Sequence, residues 1–192
     1  VLDLGCGSKP YRDWFGNVAH YTGADIAPGP EVDVVLTPGE PLPFADGAFD
    51  ALLCTQVLEH VADLGQTLAE IRRVLAPGGL LLVSVPFLFN LHGAPHDYRR
   101  FTEYGVAGLR TGGMEIIELR RQGGIGSTLT VLWLNWLETA LNSNRATRLL
   151  KAPLLPLWMV FSLLCNGLGL VLDRLDPTDH FYGNLLALAR KK

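Results

Sequence analysis

Asp3-Leu4-Gly5-Cys6-Gly7 places an acid two residues ahead of a pair of glycines, at the end of a short apolar run. Glycines in such a turn let a ligand approach the backbone closely. Asp25 closes a second apolar run about twenty residues further on, the position of an acid that binds ribose hydroxyls in nucleotide-binding folds. A dinucleotide fold would carry a third glycine at position 10, and the residue there is Pro10, which argues against a nicotinamide cofactor. The second cluster is His92-Gly93-Ala94-Pro95-His96-Asp97-Tyr98-Arg99-Arg100-Phe101-Thr102. Its histidines are candidate general bases, since histidine exchanges protons near neutrality. His92, His96 and Asp97 also offer metal ligands, but a third well-placed ligand is not apparent, so a metal-free site is expected. Asp97 and Arg100 have a structural reading of equal weight, as a pair anchoring the loop, with Thr102 as a helix cap.

These residues need a scaffold, and the chain supplies an alternating one. Apolar runs at 1–4, 21–26, 32–36, 48–54 and 80–85 read as five strands, the first three short. Leu80–Val85 is continuously apolar, as a strand covered on both faces should be. Between the fourth and fifth strands, Asp63 and Gln66 form a candidate capping box. Leu64, Leu68, Ile71, Val74 and Leu75 then recur at helical spacing, until Pro77-Gly78-Gly79 stops the helix. Thr102 opens a short helix that ends near Gly112-Gly113. Residues 114–121 and 181–189 complete a set of seven strands. Alternating strands and helices imply an α/β fold with a parallel sheet.

Length, 192 residues, predicts one domain with room for an insertion. The net charge of -3 excludes a generally basic nucleic-acid binder. Three cysteines, Cys6, Cys54 and Cys165, make no disulfide framework, and a reducing, cytoplasmic compartment is the simple expectation. The chain opens inside a strand without Met, which reads as a trimmed start, and no signal peptide is visible.

Residues 123–180 break the alternation and account for the mean hydropathy of +0.23. Leu129, Leu132, Trp133, Trp136, Leu137, Ala140 and Leu141 share one helical face. Arg145, Arg148 and Lys151 follow at spacing three, and then Ala152–Leu172 carries no charge. That stretch is long enough to cross a bilayer, but Pro153, Pro156, Asn166, Gly167 and Gly169 interrupt it. A single crossing would also strand the last strand on the wrong side. Two readings weigh equally: an apolar helical hairpin on the inner face of a membrane, or a cap or homodimer interface.

Val-Leu-Asp-Leu-Gly-Cys-Gly (1–7), Leu-Pro-Phe-Ala-Asp-Gly-Ala-Phe-Asp (42–50), Val-Leu-Glu-His-Val (57–61) and Val-Leu-Ala-Pro-Gly-Gly-Leu-Leu (74–81) stand in order. Together they resemble the class I S-adenosylmethionine-dependent methyltransferases, in the small-molecule group called type 11. The resemblance covers residues 1–122 and 181–192 as a core, with 123–180 as the insertion. It implies a Rossmann-like sheet of seven strands, the last antiparallel, with S-adenosyl-L-methionine across the carboxyl ends of strands one, two and four. It implies that Asp3, Gly5 and Gly7 surround the cofactor's amino-acid part. Asp25 falls to its ribose, Ile26 to its adenine, and Gln56, Val57 and His60 to its methionine end. Two positions depart from the pattern: Lys9 stands where a small residue is usual, and Pro38, between Thr37 and Gly39, stands where many relatives have an acid for the adenine amino group.

The 92–102 string resembles a Pro-x-Asp-Tyr-Trp-Arg-Phe-Thr motif of bacterial methyltransferases from polysaccharide and glycolipid gene neighbourhoods, with Arg99 in place of Trp. The expected reaction is methyl transfer to an oxygen of a small-molecule, glycan or glycolipid acceptor. His96 is the first candidate base and His92 the second. Asp97, Tyr98 and Arg99 are candidate acceptor contacts. The competing expectations are a scaffold that binds the cofactor without turnover and, further off, a NAD-dependent oxidoreductase.

Overall fold

The computed structural model describes residues 1–108, 113–151, 153–178 and 180–192. They divide into two compact units. The first comprises Val1–Pro86, Gly93–Arg120 and Leu185–Lys192, and the second Phe87–His92 and Arg121–Asn184.

The strands are β1 (Leu2–Leu4), β2 (Thr22–Asp25), β3 (Val34–Val35), β4 (Phe49–Thr55), β5 (Leu75–Pro86), β6 (Met114–Gln122) and β7 (Asn184–Lys191), in the sheet order 3-2-1-4-5-7-6. The pairs β1–β2, β1–β4, β2–β3 and β4–β5 are parallel. The last strand runs antiparallel: Lys192 N–H donates to Gly113 O, and Gly183 N–H donates to Gln122 O, so one number rises as the other falls. The seven-stranded α/β expectation holds. The order reverses at β1, which puts the ends of β1, β2 and β4 at the switch point where open sheets receive ligands.

Helix α1 (Leu64–Val74) buries Ile71 and Val74 completely, as its spacing requires. Only half of the expected capping box forms. Asp63 accepts from Gln66 N–H, but the Gln66 side chain donates to Gly39 O, a tertiary partner. Pro77-Gly78-Gly79 does not separate helix from strand. β5 already starts at Leu75, and the glycines make an irregularity in its pairing with β4, between Phe49 and Ala51. Arg73 ties the 42–46 segment to α1, donating to Leu42 O, Phe44 O, Asp46 and Glu70. The Arg73 hydrogen bond holds the Glu70 carboxyl below the usual range against the pull of burial. Helix α2 (Glu103–Ala107) is capped by Thr102, whose hydroxyl accepts from Gly105 N–H. It stops at Gly108, and the expected end at Gly112 lies outside the described residues.

The second unit is helical: α3 (Ile125–Asn142), α4 (Arg145–Lys151) and α5 (Leu155–Leu175). The prolines do not interrupt α5. Pro156 sits in its first turn, where a missing N–H costs nothing, and the helix runs unbroken through Gly167 and Gly169. The apolar face of α3 is not the buried one. Its buried residues are Gly126, Thr128 and Thr130, whereas Leu129, Trp133 and Trp136 are exposed. The reason is packing distance. A Cβ on Gly126 would fall 2.2 Å from Gly169 O, so the two helices meet backbone to backbone where only small side chains fit.

Candidate functional site

The glycine turn is built by its contacts on both sides. Gly5 and Cys6 N–H both donate to Ala24 O, at 2.8 and 3.2 Å, which seats the turn on the end of β2. Gly5 has φ +73°, and a Cβ there would fall 2.3 Å from Val57 Cγ2. The loop after β4 therefore packs directly onto the turn. Gly7, at φ +48°, faces open space: a Cβ there would meet nothing within 4 Å. Its N–H donates to Asp25 Oδ2 at 3.0 Å, and Ala27 N–H donates to Asp25 Oδ1 at 3.1 Å. Asp25 thus joins the ends of β1 and β2. A carboxylate oxygen has two lone pairs, so one accepted bond at each oxygen leaves capacity for a ligand hydroxyl. Ile26 beside it is 62% exposed, an apolar surface available to a flat ring.

Beneath the turn, Asp3 is buried. Tyr21 O–H donates to its Oδ2 at 2.6 Å, and its Oδ1 has no hydrogen-bond partner among the described residues. Burial raises the Asp3 carboxyl above the usual range, opposed by the Tyr21 hydrogen bond and the charge of Lys9. The phenol of Tyr21 is itself pushed well up, by burial first and then by Asp3. An incompletely paired acid under an open glycine turn suits a cationic ligand.

Lys9 has a structural explanation. It adopts φ +52°, and its chain lies over Gly23, where a Cβ would fall 2.3 Å from Lys9 Cε. Its Nζ pairs with Asp33 at 2.7 Å, and Asp33 also accepts from Gly23 N–H at 2.7 Å. The Lys9 hydrogen bond, seconded by Gly23, holds the Asp33 carboxyl below its usual range. At the other departure, Thr37 O accepts from Glu40 N–H in a turn, and Gly39 has φ +82°.

After β4, Gln56 adopts φ +55°, a conformation L side chains rarely take. Its N–H donates to Ser84 O, and its Nε2 donates to Ser84 Oγ at 3.1 Å. Glu59 is fully buried, and His60 lies beside it with Nε2 3.9 Å from Glu59 Oε1.

The 93–101 loop is fastened to this segment. Tyr98 N–H donates to Glu59 O at 2.9 Å, and His60 Nδ1 lies 2.6 Å from His96 O. Arg99 directs its guanidinium at three carbonyls, those of Leu58, Val61 and Ala62. Asp97, with a side chain 1% exposed, takes a two-pronged bond from Arg100, at 2.5 and 2.8 Å. Asp97 and Arg99 are therefore engaged within the protein, and both serve the loop's shape. Tyr98 is half exposed, with its O–H 2.9 Å from Nδ1 of exposed His96. His92 belongs to the second unit, where its ring stands edge-on to Phe89 and its Nδ1 lies 3.2 Å from Asn90 O.

The first unit thus brings Asp3, Gly5, Gly7, Asp25, Ile26, Gln56, Val57 and His60 to the ends of β1, β2 and β4. Sequence reasoning did not find Tyr21 under Asp3, the Lys9–Asp33 pair, buried Glu59 or the Arg99 clamp. Two signals were present, the replacement of Trp by Arg99 in its string and the departure at Lys9, and neither names a partner.

Comparison with known proteins agrees with this geometry. Residues 2–83 match a family model described as a methyltransferase domain. A probable S-adenosylmethionine-dependent methyltransferase of Mycolicibacterium smegmatis is 36% identical over 96 residues, which is 45% of this chain and 37% of that protein. A ubiquinone biosynthesis O-methyltransferase of Hahella chejuensis is 29% identical over 153 residues, 62% of this chain and 64% of that protein. The chain thus spans less than two thirds of the length of these curated relatives. The fold is shared with the 1,6-didemethyltoxoflavin-N1-methyltransferase of Burkholderia thailandensis, solved with S-adenosylhomocysteine bound. Its TM-score is 0.59, at 21% identity over 100% of this chain and 70% of that one. The match over residues 2–83 and the ordered motifs on the switch-point edge of this sheet support a class I S-adenosylmethionine-dependent methyltransferase.

Proposed function

We propose that this protein transfers the methyl group of S-adenosylmethionine to an oxygen of a small-molecule, glycan or glycolipid acceptor. The observation that carries the reading is the pairing of an open glycine turn with Asp25 above it and the buried, incompletely paired Asp3 below it. The residues fit this cofactor. Gly5 and Gly7 admit its amino-acid part, Asp3 complements its positive charge, Asp25 receives its ribose and Ile26 its adenine. Gln56, Val57 and His60 border its methionine end. The cofactor supplies a methyl already activated on a sulfonium. The protein's task is alignment, since holding an acceptor in line with that carbon supplies most of the acceleration.

The Arg99 clamp sets the shape of the loop that carries His96 and Tyr98. In the tautomer where His96 Nδ1–H donates to the Tyr98 oxygen, Nε2 keeps a lone pair for the acceptor's proton. As the new O–C bond forms and the S–C bond breaks, that proton passes to His96. His92 is the alternative base, and Tyr98 orients the acceptor. An oxygen acceptor is further supported by the O-methyltransferase name of the Hahella chejuensis relative.

Thermal denaturation with S-adenosylmethionine, S-adenosylhomocysteine and NAD tests the cofactor reading. At a hundredfold excess over Kd, either sulfur ligand should raise Tm by about 5–10 °C, and NAD should leave it unchanged. A chain that binds the sulfur ligands but methylates no alcohol, sugar or glycolipid would be a scaffold. His96→Ala should lower kcat at least about a hundredfold with cofactor affinity intact, and an unaltered rate removes His96 from the mechanism.

A further inference from the structure

The α3–α5 pair is built inside out. Its buried positions are Gly126, Thr128, Thr130 and Gly169, and its exposed ones are leucine, valine, methionine and tryptophan. Only 6% of the most apolar window of α5 is buried, at a mean hydropathy of 1.9. Water does not favour such a pair, because its large apolar groups gain nothing by pointing outward. Lipid does. Helices in a bilayer associate through small residues, since acyl chains already solvate the large ones.

Three polar side chains of the pair follow the same logic, whereas the buried Thr128 hydroxyl has no hydrogen-bond partner among the described residues. Asn166 donates to Ser162 O at 2.7 Å, and Thr139 donates to Asn135 O at 2.8 Å, each turning back onto its own helix. Thr130 donates across the pair to Cys165 O at 3.3 Å. Polar side chains satisfied within the helices are what an apolar solvent requires.

The charge pattern names the lipid. From Thr139 to Leu172 the sequence has no Asp or Glu but three cations, Arg145, Arg148 and Lys151, in a protein of net charge -3. Arg145 and Arg148 stand exposed on α4, between the two long helices. The pair also has both ends on one side. Ser127 N–H, at the start of α3, donates to Asp173 Oδ1, near the end of α5, at 3.0 Å. Chain entry and exit are thereby clasped together.

We propose that the α3–α5 pair embeds in one leaflet of a bilayer containing anionic lipid, with α5 among the acyl chains and Arg145 and Arg148 at the head groups. Exposed Trp133 and Trp136 suit the boundary between the two regions. The binding needs no cofactor and no turnover, so it stands apart from the methyltransferase reading.

Vesicle flotation of the full chain tests it, with phosphatidylcholine alone and with one third phosphatidylglycerol. Flotation with the anionic vesicles is expected. Arg145→Gln with Arg148→Gln should weaken it about tenfold or more at low salt, at about 1 kcal/mol per cation near the surface. Leu157→Ser with Leu164→Ser, both at exposed positions, should abolish it while stabilisation by S-adenosylhomocysteine persists. Bromine-labelled lipid should quench the tryptophan fluorescence of the floated protein. Equal flotation with both vesicle types overturns the anionic component. Absence of flotation from either, with a discrete dimer in vesicle-free buffer, overturns the membrane and assigns the surface to a second copy. Flotation without quenching overturns embedding.

Discussion

The two units obey opposite packing rules. The first buries leucine, isoleucine and valine around its sheet, and two of its buried acids, Asp3 and Glu59, lie by the glycine turn and the loop after β4. The second buries glycine and threonine between two helices and turns leucine and tryptophan outward. The contrast teaches that hydrophobicity alone does not say which residue faces inward. In the sheet, side chains fill the space between layers and apolar volume decides. Between α3 and α5 the backbones approach so closely that side-chain size decides.

The comparison breaks hardest at the glycines. Gly5→Val adds side-chain atoms where one Cβ already falls 2.3 Å from Val57, at a φ that β-branched residues avoid. It should cost about 4 kcal/mol and abolish cofactor binding, read by denaturant unfolding and isothermal titration. Gly126→Leu should cost about 3 kcal/mol by forcing α3 off α5. It should also remove vesicle flotation while cofactor affinity stays within about twofold. Loss of cofactor binding in Gly126→Leu would end the claim that the units carry separate tasks.

Arg99→Lys sharpens the first unit. Lysine cannot span three carbonyls as a planar guanidinium does, so about 2 kcal/mol of loop anchoring should be lost. A positioning role predicts kcat falling about tenfold with cofactor Kd nearly constant. A direct acceptor contact predicts a rise in acceptor KM instead, and steady-state kinetics separates the two.

The smallest effects are in pH. Burial raises the Asp3 carboxyl, so folding makes its ionisation harder than in the unfolded chain. Its contribution to stability is complete below the ordinary value of 3.8 and is lost as pH rises through the raised one. The wild type should therefore lose Tm relative to Asp3→Asn as pH climbs through that window. Asp33 has the opposite sign. The Lys9 hydrogen bond lowers it, so its contribution is present above 3.8 and is lost as pH falls through the depressed value. The wild type should lose its small advantage over Asp33→Asn on acidification. Parallel slopes for the two variants would overturn both assignments.

Much of the first unit was legible beforehand. Strand existence, the glycine turn, Asp25 and the α1 face follow from local pattern, because period and turn chemistry are properties of neighbours in sequence. Strand limits shifted by a few residues, and β5 absorbed the Pro-Gly-Gly that read as a stop, because β4 pairs with it there.

What the sequence by itself determined is the alternating α/β order, the glycine turn with Asp25, and an uncharged segment that breaks the alternation. Those depend on residue type and short spacing. Only the tertiary structure decided that Lys9 reaches Asp33 across Gly23, that Arg99 grips the loop after β4, and that α3 buries glycine and threonine rather than tryptophan. Each of these joins residues far apart in the chain. Each turns on a missing Cβ or a carbonyl whose position no local pattern encodes.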